Sequence, residues 1–322
     1  MFELNTDEIR AKLTDRKTRL EIAITKTEKS SQLVGLLKEV DSALERLDTG
    51  TYGLCEVCHD SIEKERLLAD PLMRFCIDHL STVQQKNLEE DIELSSSIQK
   101  ALLPKNNLVL NGWDFNYIYE PAGPVSGDYC DILNTGSETY FIVGDVSGKG
   151  FAASMLMTHM HAMFHSLISV GLPLEELLSR ANRLFCESTL TSHYATLLCI
   201  KADEKGRIEV CNAGHVQPIL LSGNCKILDV RGFPLGLFCQ STYEIKNYNL
   251  ETGESLLLYS DGITEALRNG KEFGVERLLD FVNPLTDFSP KHISNKILNE
   301  VREYSGSENR TDDQTIMLIR KI

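Results

Sequence analysis

The sequence predicts an α+β fold preceded by a helical, cysteine-containing module, and three observations carry that expectation. From Leu108 onward short apolar or alternating runs dominate: WDFNYIYEP, TYFIVGDV, YATLLCIKA, RIEVCNAG, PILLSG, CKILDV, SLLLYSDG and QTIMLIRKI. Their length and their β-branched and aromatic content are those of strands. Helical segments interrupt them at 152–170 and 174–188, with another pair near 275–282 and 289–304. Strands in blocks with a few inserted helices indicate α and β layers rather than a parallel βαβ sheet. Finally, 5–48 is rich in Glu, Lys, Leu and Ile, with no Pro and a single Gly35, and 81–103 reads as helix again up to the stop at Pro104.

The bulk properties bound the function. A chain of 322 residues with 42% hydrophobic content can bury one large core plus a smaller module, so two domains are expected. A net charge of −14 argues against broad binding of nucleic acid or anionic membrane and favours a protein partner or a small substrate. No apolar stretch approaches a membrane span and no leader pattern opens the chain, so a cytoplasmic location is expected. In a reducing compartment the nine cysteines should be free thiols or metal ligands rather than a disulfide framework.

In the first segment (1–50), Leu33, Leu36, Leu37, Val40, Ala43, Leu44 and Leu47 form one apolar helical stripe that needs a partner. A break at Thr27–Ser31 (TEKSS) would give an antiparallel hairpin; without it the segment is one long helix with a polar middle. The next segment (51–80) carries Cys55-x2-Cys58 and Cys76-x2-His79. Two short-spaced pairs supply four donors able to close tetrahedrally on one structural Zn²⁺. The plainer alternative is cysteines packed as small apolar side chains, and His59 is a rival ligand that breaks the spacing. In the linker (81–104), Val83, Leu88, Ile92, Leu94, Ile98 and Leu102 are spaced too loosely to choose between a connecting helix and one with an apolar stripe.

The chemistry concentrates around FIVGDVSGKG, Phe141–Gly150. Asp145 stands at the mouth of an apolar run that opens into a glycine-rich turn, a setting suited to a hard divalent cation. Comparable strand-end carboxylates are Asp128 in VSGDYCD, Asp261 in LLLYSDGITEA, and Asp312 and Asp313 in RTDDQTIMLI. Gathered together they suggest a Mg²⁺ or Mn²⁺ site; taken singly, each reads as a turn residue. His159, His161 and His165 follow on the next helix, at spacings that do not put all three on one face, and read as packing residues. His215 reads as a turn residue, and Lys149 either reaches a phosphate or is solvated.

These segments, together with IQKALLP at Ile98–Pro104, NAGHVQP at Asn212–Pro218 and FPLGL at Phe233–Leu237, resemble the SpoIIE/RsbU-like branch of the metal-dependent PPM (protein phosphatase 2C) superfamily. The resemblance runs from about residue 95 to the C-terminus. It implies a domain at 105–322 of two packed antiparallel sheets flanked by helices, with two Mg²⁺ or Mn²⁺ ions at one end. It further implies a serine/threonine protein phosphatase in which Asp145 bridges the ions, the Val146 carbonyl is a ligand, and Asp261 and Asp312 each hold an ion. Asp313 could exchange with Asp312 by a shift of one residue. Asp128 would act on the attacking water from the outer shell, with Asp131 a weaker candidate. The implied substrate is a phosphorylated anti-sigma-factor antagonist or a similar signalling protein, and the linker helix becomes a homodimer contact and switch. The phosphate-gripping arginine of animal members has no counterpart before Asp128.

TYGLCEVC, IEKER at Ile62–Arg66 and the ADP turn at Ala69–Pro71 resemble the DksA/TraR zinc-finger family over about residues 40–80. His79 takes the place of that family's last cysteine. The resemblance implies an RNA polymerase contact; a recruited dimerisation or signal-receiving module is the alternative. Two functions therefore stand side by side: a phosphatase regulated by its zinc module, and a transcription-associated binding protein that uses the phosphatase fold as a scaffold.

Overall fold

The computed structural model describes residues 6–25, 31–79, 82–106, 109–189, 193–306 and 312–322. The chain divides into two compact units, Met1–Asp91 and Ile92–Ile322.

In the first unit, α1 (Thr6–Thr25) and α2 (Ser31–Thr49) pack along their lengths. Ile9, Leu13 and Leu20 of α1 meet Val40 and Ala43 of α2 in a small core. Ion pairs Arg10–Asp48 and Lys17–Asp41 match residues that ascend along α1 with residues that descend along α2, so the two run antiparallel. Of the break expected at Thr27–Ser31, residues 26–30 lie outside the described residues. The short helix α3 (Lys64–Ala69) and a 3-10 turn, Ile77–His79, follow. Cys55, Ile62, Leu67 and Cys76 form a second small core. Arg46 of α2 donates to the carbonyls of Leu72 and Met73, fixing the cysteine-containing segment to the hairpin.

The helix α4 (Thr82–Leu102) spans the division between the units. Beyond it come β1 (Val109–Leu110), β2 (Trp113–Glu120), β3 (Asp128–Asn134) and β4 (Glu138–Val146), then α5 (Gly150–Ile168) and α6 (Leu174–Ser188). Next are β5 (Ala195–Asp203), β6 (Arg207–Ala213), β7 (Ile219–Leu221), β8 (Lys226–Ile227), β9 (Ile245–Asn249) and β10 (Ser255–Tyr259). The chain continues through α7 (Asp261–Thr264), a hairpin of β11 (Leu267–Arg268) and β12 (Lys271–Glu272), α8 (Val275–Val282), α9 (Pro290–Ser305) and β13 (Gln314–Lys321).

The strands form a six-stranded sheet, ordered β1-β2-β13-β10-β7-β8, and a five-stranded sheet, ordered β3-β4-β5-β6-β9, with antiparallel pairing throughout both. The two sheets pack face to face on Trp113, Phe115, Phe141, Val143, Leu198, Leu258, Met317 and Ile319. The other face of the five-stranded sheet is covered by α5 and α6 through Tyr140, Ile142, Met157, Phe164 and Leu177. The other face of the six-stranded sheet is covered by α8 and α9 through Leu257, Ile316, Leu318, Leu278 and Ile297. Alternate residues of β4 and β13 thus enter different cores, both apolar. That is why these strands read as continuous apolar runs and not as an apolar–polar alternation.

One expectation needs correction: Cys186 of α6 is disulfide-bonded to Cys239. The bond ties α6 to the loop that follows FPLGL, which Asn182 also holds by accepting from Gly236 N–H and donating to the Phe238 carbonyl. The remaining seven cysteines form no disulfide. No described helix is long and apolar enough to cross a membrane.

Candidate active site

Antiparallel pairing delivers the carboxylates to one end of the sandwich. In the five-stranded sheet Asp128 opens β3 directly opposite Asp145, near the end of β4. In the six-stranded sheet β10 ends just before Asp261, and β13 begins just after Asp312 and Asp313, with Tyr259 opposite Ile316. Two glycines permit the close approach. A Cβ on Gly262 would stand 1.9 Å from the Asp313 carbonyl oxygen. A Cβ on Gly127 would stand 3.2 Å from both Asp145 Oδ1 and the Val146 carbonyl oxygen, so two oxygens converge on that glycine.

The electrostatics follow from crowding acids in a half-dry cleft. Burial, then Asp261, Asp312 and Asp313, push Asp145 up to about 7. Burial and Asp145 push Asp128 well above the usual carboxylate range, against the opposing hydrogen bonds of Thr315 and Ser260. Burial and Asp312 also raise Asp261. Acids that repel their own ionised forms in this way are those a divalent cation would stabilise, and the all-oxygen donor set suits a hard one.

The surrounding hydrogen bonds fix the frame. Thr315 Oγ1 donates to Asp128 Oδ2 at 2.5 Å, and Ser126 Oγ accepts from Asp128 N–H at 3.0 Å. Asp313 accepts from Ala122 N–H at 2.7 Å and from Gly127 N–H at 2.9 Å, so both of its oxygens are engaged with backbone. Asp312 Oδ2 instead lies 2.8 Å from Lys149 Nζ, and its side chain is 38% exposed. The two neighbouring acids thus have different tasks. Lys149 reaches across to the acid cluster and does not simply stand in solvent.

His215 is buried and joins the two sheets. Its Nε2 lies 3.0 Å from the Tyr259 carbonyl, which can only accept, so Nε2 carries the proton and Nδ1 accepts from Thr196 Oγ1 at 2.8 Å. Asn212 holds its backbone from both sides, which accounts for the turn expected at this motif. Burial pushes the imidazole down to about 4.

Asp131 does not join the acid cluster. Three residues beyond Asp128 along β3, it lies on the opposite face of the strand. There it meets His161 and His165 of α5, while His159 bonds to Ser188. The spacing of these histidines did not reveal that two of them converge on one carboxylate. Ser126, Thr315 and Gln99, which frame Asp128, also escaped the sequence reading, although Gln99 lies within the IQKALLP motif.

In the first unit the ligand atoms of Cys55, Cys58, Cys76 and His79 all lie within 4.8 Å of one another. Cys76 Sγ stands 3.2 Å from His79 Nδ1 and 3.7 Å from Cys58 Sγ. Burial opposes ionisation of Cys55, but the N–H groups of Cys58, Cys76 and Val57 outweigh it and hold this thiol below its ordinary range. Against the Asp60 N–H, burial and the neighbouring Cys55 and Cys76 push Cys58 the other way, up to about 11. The crowded thiols therefore share little negative charge until a cation arrives, and three sulfurs with one imidazole fit a tetrahedral soft-metal site. His59 lies outside this set, with a positive φ of 60°.

The sequence profile described as Stage II sporulation protein E (SpoIIE) matches residues 135–321, more than half of the chain. The chain belongs to the SpoIIE family. A second profile, the prokaryotic DksA/TraR C4-type zinc finger, matches residues 50–78. Among curated relatives, protein IcfG of Synechocystis is 28% identical over 71% of this chain and 41% of its own length. Phosphoserine phosphatase RsbU of Bacillus subtilis is 26% identical over 56% of this chain and 55% of its own. The chain therefore spans about half the length of the curated relatives it matches. Among solved structures, the SiaA-PP2C domain of Pseudomonas aeruginosa superposes with a TM-score of 0.65 at 18% identity, covering 74% of this chain and 99% of that domain. The layered sandwich is thus shared between this SpoIIE member and a PP2C domain.

Proposed function

We propose that the chain is a divalent-cation-dependent serine/threonine protein phosphatase acting on a phosphorylated signalling protein. The observation that carries this reading is the convergence of Asp128, Asp145, Asp261 and Asp312 at one end of the sandwich, where each of the first three is held above the usual carboxylate range. Asp145, the Val146 carbonyl, Asp261 and Asp312 would hold two Mg²⁺ or Mn²⁺ ions, with Asp145 between them. When bound, such ions supply an acidified water for attack on phosphorus and neutralise charge on the phosphoryl oxygens.

The chain's own residues do the rest. Asp313, spent on Ala122 and Gly127 N–H, sets the loop that brings Asp128 and Asp145 together. Asp128, held in one orientation by Thr315, is suited to take and return the water's proton, because burial and Asp145 hold it well above the usual carboxylate range. Asp261 opens α7, where, against burial and Asp312, the backbone N–H groups of Gly262 and of Asp261 itself favour its ionised form.

Similarity to phosphoserine phosphatase RsbU supports a phosphoserine protein as substrate; an anti-sigma-factor antagonist is the kind of substrate that the family resemblance implies. Regulation would come from the N-terminal module, with one structural Zn²⁺ on Cys55, Cys58, Cys76 and His79. We assign 1–50 to the hairpin, 51–80 to the finger, 81–104 to the linker and 105–322 to the phosphatase. Leu94 and Ile98, one turn apart on α4 and respectively 60% and 52% exposed, support a homodimer contact through the linker. The zinc-finger match favours a second reading, an RNA polymerase contact with the sandwich as scaffold. The intact acid set weighs against a passive scaffold.

The test is hydrolysis of a phosphoserine peptide with Mn²⁺ by the full chain, by residues 92–322 and by Asp145→Asn. Metal-dependent turnover lost in Asp145→Asn is expected. Turnover equal in the variant would remove the proposal.

A further inference from the structure

On the face of β3 away from the acid cluster, Asp131 meets two histidines of α5. His161 and His165 are separated by one helical turn and therefore share a face. Asp131 Oδ2 lies 3.2 Å from His161 Nδ1 and 2.9 Å from His165 Nε2. The ligand-type atoms of all three residues fall within 4.8 Å of one another. The two imidazole rings are 4.0 Å apart, centroid to centroid.

We propose that Asp131, His161 and His165 form a binding site for a borderline divalent transition-metal cation of the Zn²⁺ class, separate from the acid cluster. Hydrogen bonding alone explains the arrangement poorly. Tyr129 O–H already donates to Asp131 Oδ2 at 2.9 Å, so that one oxygen faces a phenol and two imidazole nitrogens. A cation lets both nitrogens act through their lone pairs and removes this competition. Two imidazoles and one carboxylate are a donor set for Zn²⁺ or its neighbours and not for Mg²⁺, which prefers oxygen and keeps its waters.

The surroundings match such a site. Asp131 is fixed from outside, with Oδ1 accepting from Ile132 N–H at 2.8 Å, which orients the carboxylate as an outer partner does in metal centres. Its side chain is 3% exposed, against 18% for His161 and 43% for His165, so the site has a buried floor and an open mouth. Three protein ligands leave a coordination position free on the solvent side. The cation would join β3, which begins at Asp128, to α5, which follows the turn after Asp145. It would thus brace the two elements that flank the acid cluster.

The experiment is equilibrium dialysis of the full chain against Zn²⁺ in a large excess of Mg²⁺, followed by measurement of bound zinc. Comparison is made with His165→Gln, His161→Gln and Asp145→Asn, and with Co²⁺ in place of Zn²⁺ for proton NMR. The expected result is a loss of one equivalent of zinc in each histidine variant and no such loss in Asp145→Asn. Paramagnetically shifted imidazole resonances beyond those of His79 in the cysteine site should appear in the Co²⁺ protein, and these additional resonances should be lost in His165→Gln. His165 is half exposed, so its replacement leaves the fold intact, and it decides the matter even if His161→Gln does not fold. Equal zinc in the wild type and His165→Gln, with no shifted imidazole resonances lost, overturns the proposal.

Discussion

Gln99 and Ser126 are joined by hydrogen bonds in both directions: Gln99 Nε2 donates to the Ser126 carbonyl at 2.7 Å, and Gln99 Oε1 accepts from Ser126 N–H at 2.9 Å. Both residues are buried. Ser126 in turn accepts from Asp128 N–H through its hydroxyl. A side chain near the end of α4 therefore substitutes for a strand neighbour at the point where the chain enters the acid cluster.

Replacing Gln99 with Ala strands a buried N–H and a buried carbonyl, at a cost of about 1–3 kcal/mol. The loss should fall on the local opening of the 126–128 segment. Amide exchange at Ser126 and Gly127 is expected to quicken by about tenfold or more, with a fall in peptide turnover, while exchange in β10 and β13 stays unchanged. Unaltered exchange at both amides would show that the glutamine carries no such load.

The layers were legible in the sequence because both faces of the central strands are buried, which writes Phe141–Val143 and Ile316–Ile319 as unbroken apolar runs. The acids were legible because each sits at the end of such a run. Their division of labour was not, since it depends on contacts such as Asp313 with Gly127, 186 residues apart. Asp131 was misjudged for a related reason. A strand alternates faces, so its proximity to Asp128 in sequence places it on the other side, and only the docking of α5 reveals what it meets. The Cys186–Cys239 bond, closing a separation of 53 residues, left no spacing pattern to read.

Asp312 and Asp313 should separate cleanly by mutation. Asp312→Asn removes charge facing Lys149 at the exposed side of the cluster, so Mn²⁺ affinity should drop by at least about tenfold with little effect on metal-free stability. Asp313→Asn keeps one acceptor but turns an amide NH₂ toward either Ala122 N–H or Gly127 N–H, and should cost about 1–3 kcal/mol of metal-free stability. Mn²⁺ calorimetry and thermal melts in a chelator measure the two effects. The opposite pattern would exchange the two residues' roles.

His215 makes stability depend on pH in mildly acidic solution. Folded, it stays neutral down to about 4; unfolded, it takes a proton near its ordinary value of 6.5. Between those values the unfolded chain binds the extra proton, so this group's contribution is complete above about 6.5 and is lost as the pH falls toward 4. The full difference corresponds to about 3 kcal/mol, to order of magnitude. A His215→Gln variant, even if less stable at pH 7, should lose less stability on acidification to pH 4.5 than the wild type. Denaturant melts across that window give the comparison, and parallel curves would refute the assignment.

The cysteine-rich module should fail alone. With Cys55 and Cys58 changed to Ser, the remaining Cys76 and His79 cannot close a tetrahedral site, and binding free energy of about 10–16 kcal/mol in comparable zinc peptides is withdrawn from a core of only a few side chains. Residues 51–79 should then become protease-sensitive and lose one equivalent of zinc. The melting of the sandwich, which has its own cores on both sides of each sheet, should stay within about 2 °C of wild type. Limited proteolysis read alongside metal analysis distinguishes the outcomes. Zinc retained with an intact 51–79 segment would mean that other ligands hold the ion, and a collapse of the sandwich itself would mean that its stability depends on the module.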